Sequence, residues 1–251
     1  MDELLCSINV PMPLPFPHNL SQRIIHAWQQ QVSPKLSSLL SVVWISGLVV
    51  AALALWGFAA IAEEVLEQET QVLDTTILQI LRTLHTPLLD QIMIGITFLG
   101  EPLTLAVLSS CLGIFLLMRR KWAQGIALAI ASAGAIGLNF MLKDVFARSR
   151  PALWDRIVDV KNYSFPSGHA MISLVIYGFI GYYLALRFPR VQGLITTITV
   201  LLIAAIGLSR LYLGVHWPTD VVAGYAVGLV WLFACILSLE VAGAFSGRDE
   251  G

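Results

Sequence analysis

Long uncharged apolar runs, separated by short polar connections, make up most of the chain. A charge at mid-bilayer costs about 2.5–3.5 kcal/mol. Uncharged runs that can cross roughly 30 Å of hydrocarbon as a helix therefore predict membrane spans. Six runs qualify, at residues 36–62, 102–118, 122–142, 170–186, 191–209 and 221–239. The pattern predicts an all-α protein, a bundle of six transmembrane helices, with its membrane domain over residues 36–240.

The polar segment between the first two spans carries a helical apolar stripe. The stripe consists of Leu66, Leu73, Ile77, Ile80, Leu84 and Leu88. This spacing predicts an amphipathic helix between the first and second spans. The helix lies on the membrane surface or packs as a cap on the bundle, and the pattern fits both arrangements equally.

Composition agrees with an integral membrane protein. Of the 251 residues 57% are hydrophobic and only 12% are charged, whereas soluble domains carry about a quarter charged residues. Ordinary soluble, disordered and collagenous classes are therefore excluded. The formal net charge is −1, which provides no bulk electrostatic attraction to nucleic acid. The three cysteines lie far apart without a CxxC pair, so neither a disulfide framework nor a zinc site is expected.

Two short basic connections predict the orientation in the membrane. Residues 119–121 are Arg-Arg-Lys, and Arg187 and Arg190 flank the later connection. Both connections fall on the same side of a six-span protein, and the positive-inside rule makes that side cytoplasmic. Both termini then lie inside, with residues 1–35 as an N-terminal cytoplasmic segment and 241–251 as a C-terminal tail.

Ionisable residues gather at the opposite, outer face, at span ends and in the two adjoining loops. They are Lys143, Arg148, Arg150, His169, Arg210, His216 and Asp220. Side chains that merely snorkel to the nearest interface would be spread over both faces. We therefore interpret the cluster as a convergent cationic site with two histidines.

Most residues of this cluster fall into three motifs along the chain. They are Lys143-x6-Arg150-Pro151, Pro166-Ser167-Gly168-His169 and Ser209-Arg210-x5-His216-x3-Asp220. One such motif alone is weak, but three in order at matching spacing are specific. The sequence resembles the type 2 phosphatidic acid phosphatase superfamily, which includes lipid phosphate phosphatases and vanadium haloperoxidases. The resemblance covers about residues 73–239, including a family-like Thr-Phe-Leu-Gly at 97–100.

The cationic residues suit phosphoryl transfer. The transferred group carries negative charge on three equatorial oxygens, so catalysis is mainly positioning and charge stabilisation. Lys143, Arg150 and Arg210 supply three positive charges, and the arginine fork can hold two phosphate oxygens. Ser167 and Gly168 begin an apolar helix, where free backbone N–H groups bind anions. We predict that these five residues bind phosphate.

The two histidines permit a two-step displacement. His216 is the predicted nucleophile, forming a phosphohistidine, because Asp220 follows one helical turn later and can hold its other ring nitrogen. His169 is the predicted general acid, which later activates water. The resemblance implies the same roles. Without the resemblance, only the proximity of Asp220 to His216 distinguishes the nucleophile from the general acid.

Three further features bear on the site. The only carboxylates in its two loops are Asp144, Asp155, Asp159 and Asp220, so no metal cage and no metal or other cofactor is expected. Arg148 is left outside the predicted site, as a residue that faces headgroups or solvates the loop. Asn139 either orients Lys143 or makes a hydrogen bond between helices.

The resemblance implies an integral membrane phosphatase that releases the terminal phosphate of a lipid phosphate or lipid pyrophosphate. Its expected partners are the bilayer and its lipid substrate, not nucleic acid. We expect it in the plasma (inner) membrane with the site on the non-cytoplasmic face. A lipid phosphotransferase remains an alternative. A haloperoxidase fits poorly because that branch is soluble, and an anion transporter would place its charges near the bilayer midplane. Phosphatidic acid, phosphatidylglycerol phosphate and isoprenyl pyrophosphate fit equally as substrates.

Overall fold

The computed structural model describes residues 42–154, 158, 160 and 162–246. The predicted cytoplasmic segment 1–35, the start of the first predicted span and the end of the C-terminal tail lie outside the described residues. The chain divides into two compact units, Met1–Ser46 and Gly47–Gly251. Of the first unit only residues 42–46 are described, and they begin the first helix. All site residues belong to the second unit.

All regular secondary structure in the described part of the chain is helical, with no strand, which confirms the all-α prediction. Its eight α-helices, in chain order, are α1 (Val42–Leu66), α2 (Gln71–Arg82), α3 (Pro87–Leu99), α4 (Pro102–Met118), α5 (Trp122–Phe146), α6 (Gly168–Arg187), α7 (Gln192–Tyr212) and α8 (Pro218–Ser246). A single 3-10 turn, Pro189–Val191, joins α6 to α7.

Five helices are long and apolar enough to cross a membrane, namely α1, α5, α6, α7 and α8. The second predicted span corresponds to α4, whose 17 residues rise only about 25 Å at 1.5 Å per residue. The pair α3 and α4 qualifies when taken together, with a bend of 44° at the break between them. Among the described residues the structure therefore has five single-helix candidate spans, and six when the bent pair of α3 and α4 is counted as one.

The segment expected to form one amphipathic helix forms two helices. Proline cannot continue a helix and disfavours helical geometry in the preceding residue. Accordingly, α2 ends at Arg82 and α3 starts at Pro87, where the hydroxyl of the N-cap Thr86 accepts the Leu89 N–H at 3.3 Å. The stripe residues Leu73 and Ile80 of α2 are exposed, so this helix does not pack its apolar stripe on the bundle.

Helix α6 is the centre of the bundle and packs against α4, α5, α7 and α8. Two glycines of α8 allow a close approach to its N-terminal turns. A Cβ atom at Gly224 would lie 2.7 Å from the carbonyl oxygen of Ser167, and one at Gly228 would lie 2.9 Å from that of Met171. The start of α6 is thereby held directly against α8.

Successive helices place the polar motifs at one end of the bundle. Lys143 lies near the end of α5 and Arg210 near the end of α7, whereas His169 and Asp220 lie in the first turns of α6 and α8. These four helices pack against one another, and successive helices run in opposite directions. The C-terminal ends of α5 and α7 therefore lie beside the N-terminal ends of α6 and α8.

Candidate active site

A cavity of about 300 Å³ opens at this end of the bundle. Its polar lining consists of Glu101, Asn139, Lys143, Arg150, Asn162, His169, Arg210 and His216, and its other lining residues are Pro102, Ile136, Phe140, Val160, Gly168 and Ile172. The cavity lining therefore combines several positively charged side chains with apolar side chains from α4, α5 and α6.

His216 lies at the base of the cavity, between an aspartate and an arginine. Its Nδ1 is 3.3 Å from Oδ2 of Asp220, and its Nε2 is 3.2 Å from Nη1 of Arg150. A guanidinium can only donate hydrogen bonds, so Nε2 must accept and carries the lone pair. The ring proton therefore resides on Nδ1 and points to Asp220. This tautomer presents Nε2 as a nucleophile.

The surroundings of His216 keep its ring neutral. The side chain is 1% exposed and lies in the connection between α7 and α8. Burial first, and then the positive charges of Arg150, Arg210 and Lys143, lower the pKa of this imidazole well below its usual 6.5. The His216 imidazole is thus unprotonated at neutral pH.

Backbone carbonyls fix the guanidinium of Arg150. Its Nε donates to the carbonyl of Asn162 at 2.9 Å, and Nη1 donates to that of Val215 at 2.7 Å. Its Nη2 donates to the carbonyl of Tyr163 at 3.2 Å. These contacts tie the two loops of the site together and hold a positive charge beside His216.

Arg210 and Lys143 bring two further charges to the cavity. Arg210 is buried, and its Nη1 donates to the hydroxyl of Thr97 at 2.6 Å. Thr97 belongs to the family-like segment at the end of α3, which explains how that segment contributes to the site. Lys143 lines the cavity from the last turns of α5.

The start of α6 is positioned by Asn139 and Asp220. The Asn139 amide donates to the carbonyl of Pro166 at 3.2 Å, and the Ser167 N–H donates to the carbonyl of Asp220 at 2.9 Å. A Cβ atom at Gly168 would lie 2.8 Å from Oδ1 of Asn139, so glycine is needed for this contact. Of the two roles considered for Asn139, the structure shows the hydrogen bond between neighbouring helical segments.

His169 faces the cavity beside an unexpected carboxylate. Its Nε2 lies 3.3 Å from Oε1 of Glu101. The contact lacks hydrogen-bond geometry, so Nε2 has no hydrogen-bond partner among the described residues. A Cβ atom at Gly100 would lie 3.0 Å from Cδ2 of His169, which shows that Gly100 leaves room for the imidazole.

Three buried polar atoms of the site lack hydrogen-bond partners within the described residues. They are Oγ of Ser167, Nε2 of His169 and Nε of Arg210. A buried polar group left unpaired costs about 1–3 kcal/mol. All three can donate, so the site is prepared for a ligand with several acceptor oxygens, as an oxyanion has.

The comparisons with known proteins agree with this geometry. A sequence model of the PAP2 superfamily matches residues 122–243. Phosphatidylglycerophosphatase B of Bacillus subtilis is 31% identical over 179 residues, which cover 70% of this chain and 88% of that protein. The chain belongs to the PAP2 superfamily. The expected family resemblance is thereby confirmed.

Other PAP2 proteins are similar over shorter or comparable lengths. The crystal structure of a transmembrane PAP2-type phosphatidylglycerolphosphate phosphatase from Bacillus subtilis superposes with a TM-score of 0.70 at 28% identity, covering 80% of this chain and 98% of that one. An undecaprenyl-diphosphatase of Sulfolobus acidocaldarius is 34% identical over 142 residues, 55% of this chain and 65% of that protein. The fold and the membrane setting are thus those of PAP2 phosphatases.

The contacts of two residues near the PAP2 motifs could not be predicted from the sequence. Arg148 neither faces headgroups nor solvates the loop, because it forms ion pairs with Asp74 at 2.8 Å and with Asp220 at 2.7 Å. Glu101 marks only the edge of a span in the sequence, yet it lies beside His169. The one available signal for Glu101 is its position directly after the family-like segment at 97–100.

Carboxylates near the site do not gather around a common point. Within the part of the chain that the structure describes, no group of three His, Cys, Asp or Glu residues is arranged to hold a metal ion. Asp144 is exposed on the last turn of α5, and Asp155 and Asp159 lie outside the described residues. Asp220 engages His216 and Arg148 instead.

Proposed function

We propose that this protein hydrolyses the terminal phosphate of a lipid phosphate or lipid pyrophosphate through a phosphohistidine on His216. The observation that supports this proposal most directly is the tautomer of that imidazole, because Arg150 donates to Nε2 and Asp220 faces Nδ1. The names of the relatives, a phosphatidylglycerophosphatase and an undecaprenyl-diphosphatase, support a lipid substrate with a terminal phosphate.

The shape of the cavity supports an amphiphilic substrate. Its lining includes the apolar residues Pro102, Ile136 and Phe140 beside the charged ones, and the Phe140 side chain is also exposed on the surface of the bundle. A phosphate bound by the arginines would therefore have apolar side chains next to its ester linkage. A lipid can leave its chains in the bilayer while its headgroup enters, because the site lies at the ends of the spans.

The first chemical step transfers the phosphoryl group to the protein. The lone pair on Nε2 of His216 attacks phosphorus, and the bond from phosphorus to the leaving oxygen breaks. His169 gives its proton to that oxygen, so the leaving oxygen departs as a hydroxyl and not as an oxyanion. Asp220 stabilises the positive charge that develops on the His216 ring, and the cationic side chains stabilise the equatorial oxygens.

The second step regenerates the enzyme. His169, now neutral, removes a proton from a water molecule whose oxygen attacks phosphorus. The bond between phosphorus and Nε2 breaks, and inorganic phosphate leaves. In this mechanism the arginines and Lys143 supply all of the positive charge, so neither step uses a metal ion or another cofactor.

The distribution of basic residues supports a site on the non-cytoplasmic face of the plasma (inner) membrane. Arg119, Arg120 and Lys121 connect α4 to α5, and Arg187 and Arg190 lie at the connection from α6 to α7. Both connections are at the helix ends opposite Lys143 and Arg210. The positive-inside tendency assigns the connections to the cytoplasm and leaves the cavity on the other side.

A panel of purified substrates tests the proposed function. Phosphatidic acid, phosphatidylglycerol phosphate and an isoprenyl pyrophosphate are offered in detergent micelles, and released phosphate is measured with and without alcohol acceptors. We expect release from at least one lipid by the wild-type protein and none by His216→Ala. Products formed only when an alcohol is present would instead indicate a phosphotransferase, and no turnover of any lipid would contradict the proposal.

A further inference from the structure

A continuous network of charges leads from α2 to the buried imidazole of His216. Nη2 of Arg148 donates to Oδ2 of Asp74 at 2.8 Å, and Nη1 donates to Oδ1 of Asp220 at 2.7 Å. The other oxygen of Asp220, Oδ2, faces Nδ1 of His216 at 3.3 Å. Side chains from three distant parts of the sequence thus form one connected unit.

Both carboxylates in this network are fully buried, and Arg148 is the cation that they share. Asp74 and Asp220 have no exposed side-chain surface, and the Arg148 side chain is 12% exposed. A buried charge that loses its partner is strongly destabilising. Arginine suits the position because its planar fork directs separate N–H groups to separate acceptors, which the ammonium of lysine does not reproduce.

Arg148 also determines which oxygen of Asp220 faces the nucleophile. The guanidinium occupies Oδ1, while Oδ2 accepts the backbone N–H of Trp217 at 2.9 Å and faces His216. The carboxylate cannot rotate without breaking a charge-assisted hydrogen bond. Its Oδ2 is therefore held where positive charge develops when His216 attacks.

Asp74 extends the arrangement to α2, which precedes the residues matched by the family model. Its Oδ1 accepts the Thr219 backbone N–H at 3.1 Å, and its Oδ2 accepts the Thr219 hydroxyl at 2.7 Å. Thr70, the N-cap of α2, accepts from Nη2 of Arg148 at 2.9 Å. The start of α2 therefore holds both Arg148 and the first turn of α8.

We propose that Asp74 and Arg148 are positioning residues for phosphoryl transfer: Asp74 holds Arg148, and Arg148 holds Asp220 aimed at His216. This inference rests on the proposed function. Neither side chain lines the cavity, so both act through Asp220 without touching the headgroup. Helix α2 is then part of the catalytic apparatus.

This role has a kinetic signature that a purely structural role lacks. Arg148→Lys should lower kcat by roughly 10- to 100-fold with KM nearly unchanged, because the headgroup contacts remain.

A double-mutant cycle tests the order of the network. Asp74→Asn should lower kcat by less than Arg148→Lys does, again with KM nearly unchanged. In the Arg148→Lys background it should not lower kcat further, because both substitutions act on the same contact. Thr70→Val removes a single hydroxyl that accepts from Arg148, and should reduce kcat by a few-fold. Thr70→Val provides the test if Arg148→Lys or Asp74→Asn does not fold.

The matched controls are Asp144→Asn, an exposed carboxylate at the same end of the bundle, and Arg187→Lys at the opposite end. Both should retain wild-type kcat. Folded Arg148→Lys, Asp74→Asn and Thr70→Val proteins with wild-type kcat, or with only KM raised, would overturn the inference. Failure of the proposed function is distinguishable, because it would appear as absent turnover in the wild-type protein itself.

Discussion

Nε2 of His216 and Nη1 of Arg150 lie 3.2 Å apart at the base of the cavity. The guanidinium both sets the tautomer of the imidazole and brings positive charge to the place where a phosphate oxygen would bind. An arriving phosphate can take over this guanidinium N–H and so free the lone pair on Nε2. In the proposed mechanism, the same contact keeps the nucleophile ready and places it beside the phosphate that it attacks.

The ionisation of His216 gives a direct spectroscopic prediction. Burial and neighbouring cations lower the pKa of His216 well below 6.5, so the ring stays neutral as the pH falls through 6.5 and protonates only at much lower pH. Nitrogen-15 NMR of labelled histidines in detergent-solubilised protein should show this, with the signal assigned by its absence in His216→Gln. A ring that titrates near pH 6.5 would be inconsistent with the buried, cation-rich site.

Loss of His169 should affect substrates according to their leaving group. His169→Ala should slow hydrolysis of an alkyl lipid phosphate by roughly 100- to 10,000-fold, as expected for a missing general acid. An aryl phosphate with an acidic leaving group needs little protonation and should be affected much less. Steady-state kinetics on both substrates, with Asp144→Asn as the control variant, measure this ratio. Equal losses on the two substrates would rule out the general-acid role in the first step.

Removal of metal ions should not affect turnover, because the protein supplies the positive charge through Lys143, Arg150 and Arg210. Purified protein treated with EDTA should retain its rate, and added magnesium should not raise it. Vanadate should inhibit competitively by taking five-coordinate geometry with His216 at one apex. A magnesium requirement that persists with a metal-free substrate would refute this prediction.

The orientation of the site predicts a labelling pattern in intact cells or spheroplasts. Glu69 is exposed beside the start of α2, at the site end of the bundle, and Gln192 is exposed at the opposite end. In a background with Cys6, Cys111 and Cys235 replaced, a membrane-impermeant thiol reagent should label Glu69→Cys and spare Gln192→Cys. The reverse pattern would place the substrate in the cytoplasmic leaflet.

Much of the fold could be predicted from the sequence because the free energy of inserting a segment into the bilayer depends on its local composition. Uncharged runs located α5, α6, α7 and α8 closely, since each charge in the bilayer is costly. The alternation of spans then brought Lys143 and Arg210 to the same face as His169 without any knowledge of tertiary contacts.

What could not be predicted depends on contacts between distant residues. Asp74 appears in the sequence as an ordinary polar position of an amphipathic helix, yet it is buried against Arg148, 74 residues later. The break between α3 and α4 is marked locally by Pro102 at the start of α4, whereas the 44° bend of the pair is not readable from an uncharged run. The break before Pro87 had a local signal, Thr86-Pro87, which the continuous apolar stripe concealed.

The central claim is that His216 carries the phosphoryl group. Rapid quench of the wild-type protein with a lipid phosphate labelled in its terminal phosphate should trap an acid-labile, base-stable phosphoenzyme within one turnover. The label should map to the peptide containing His216 and be absent from His216→Ala protein whose thermal melting and detergent chromatography match wild type. Label on another residue, or full hydrolytic activity in folded His216→Ala, would contradict the account.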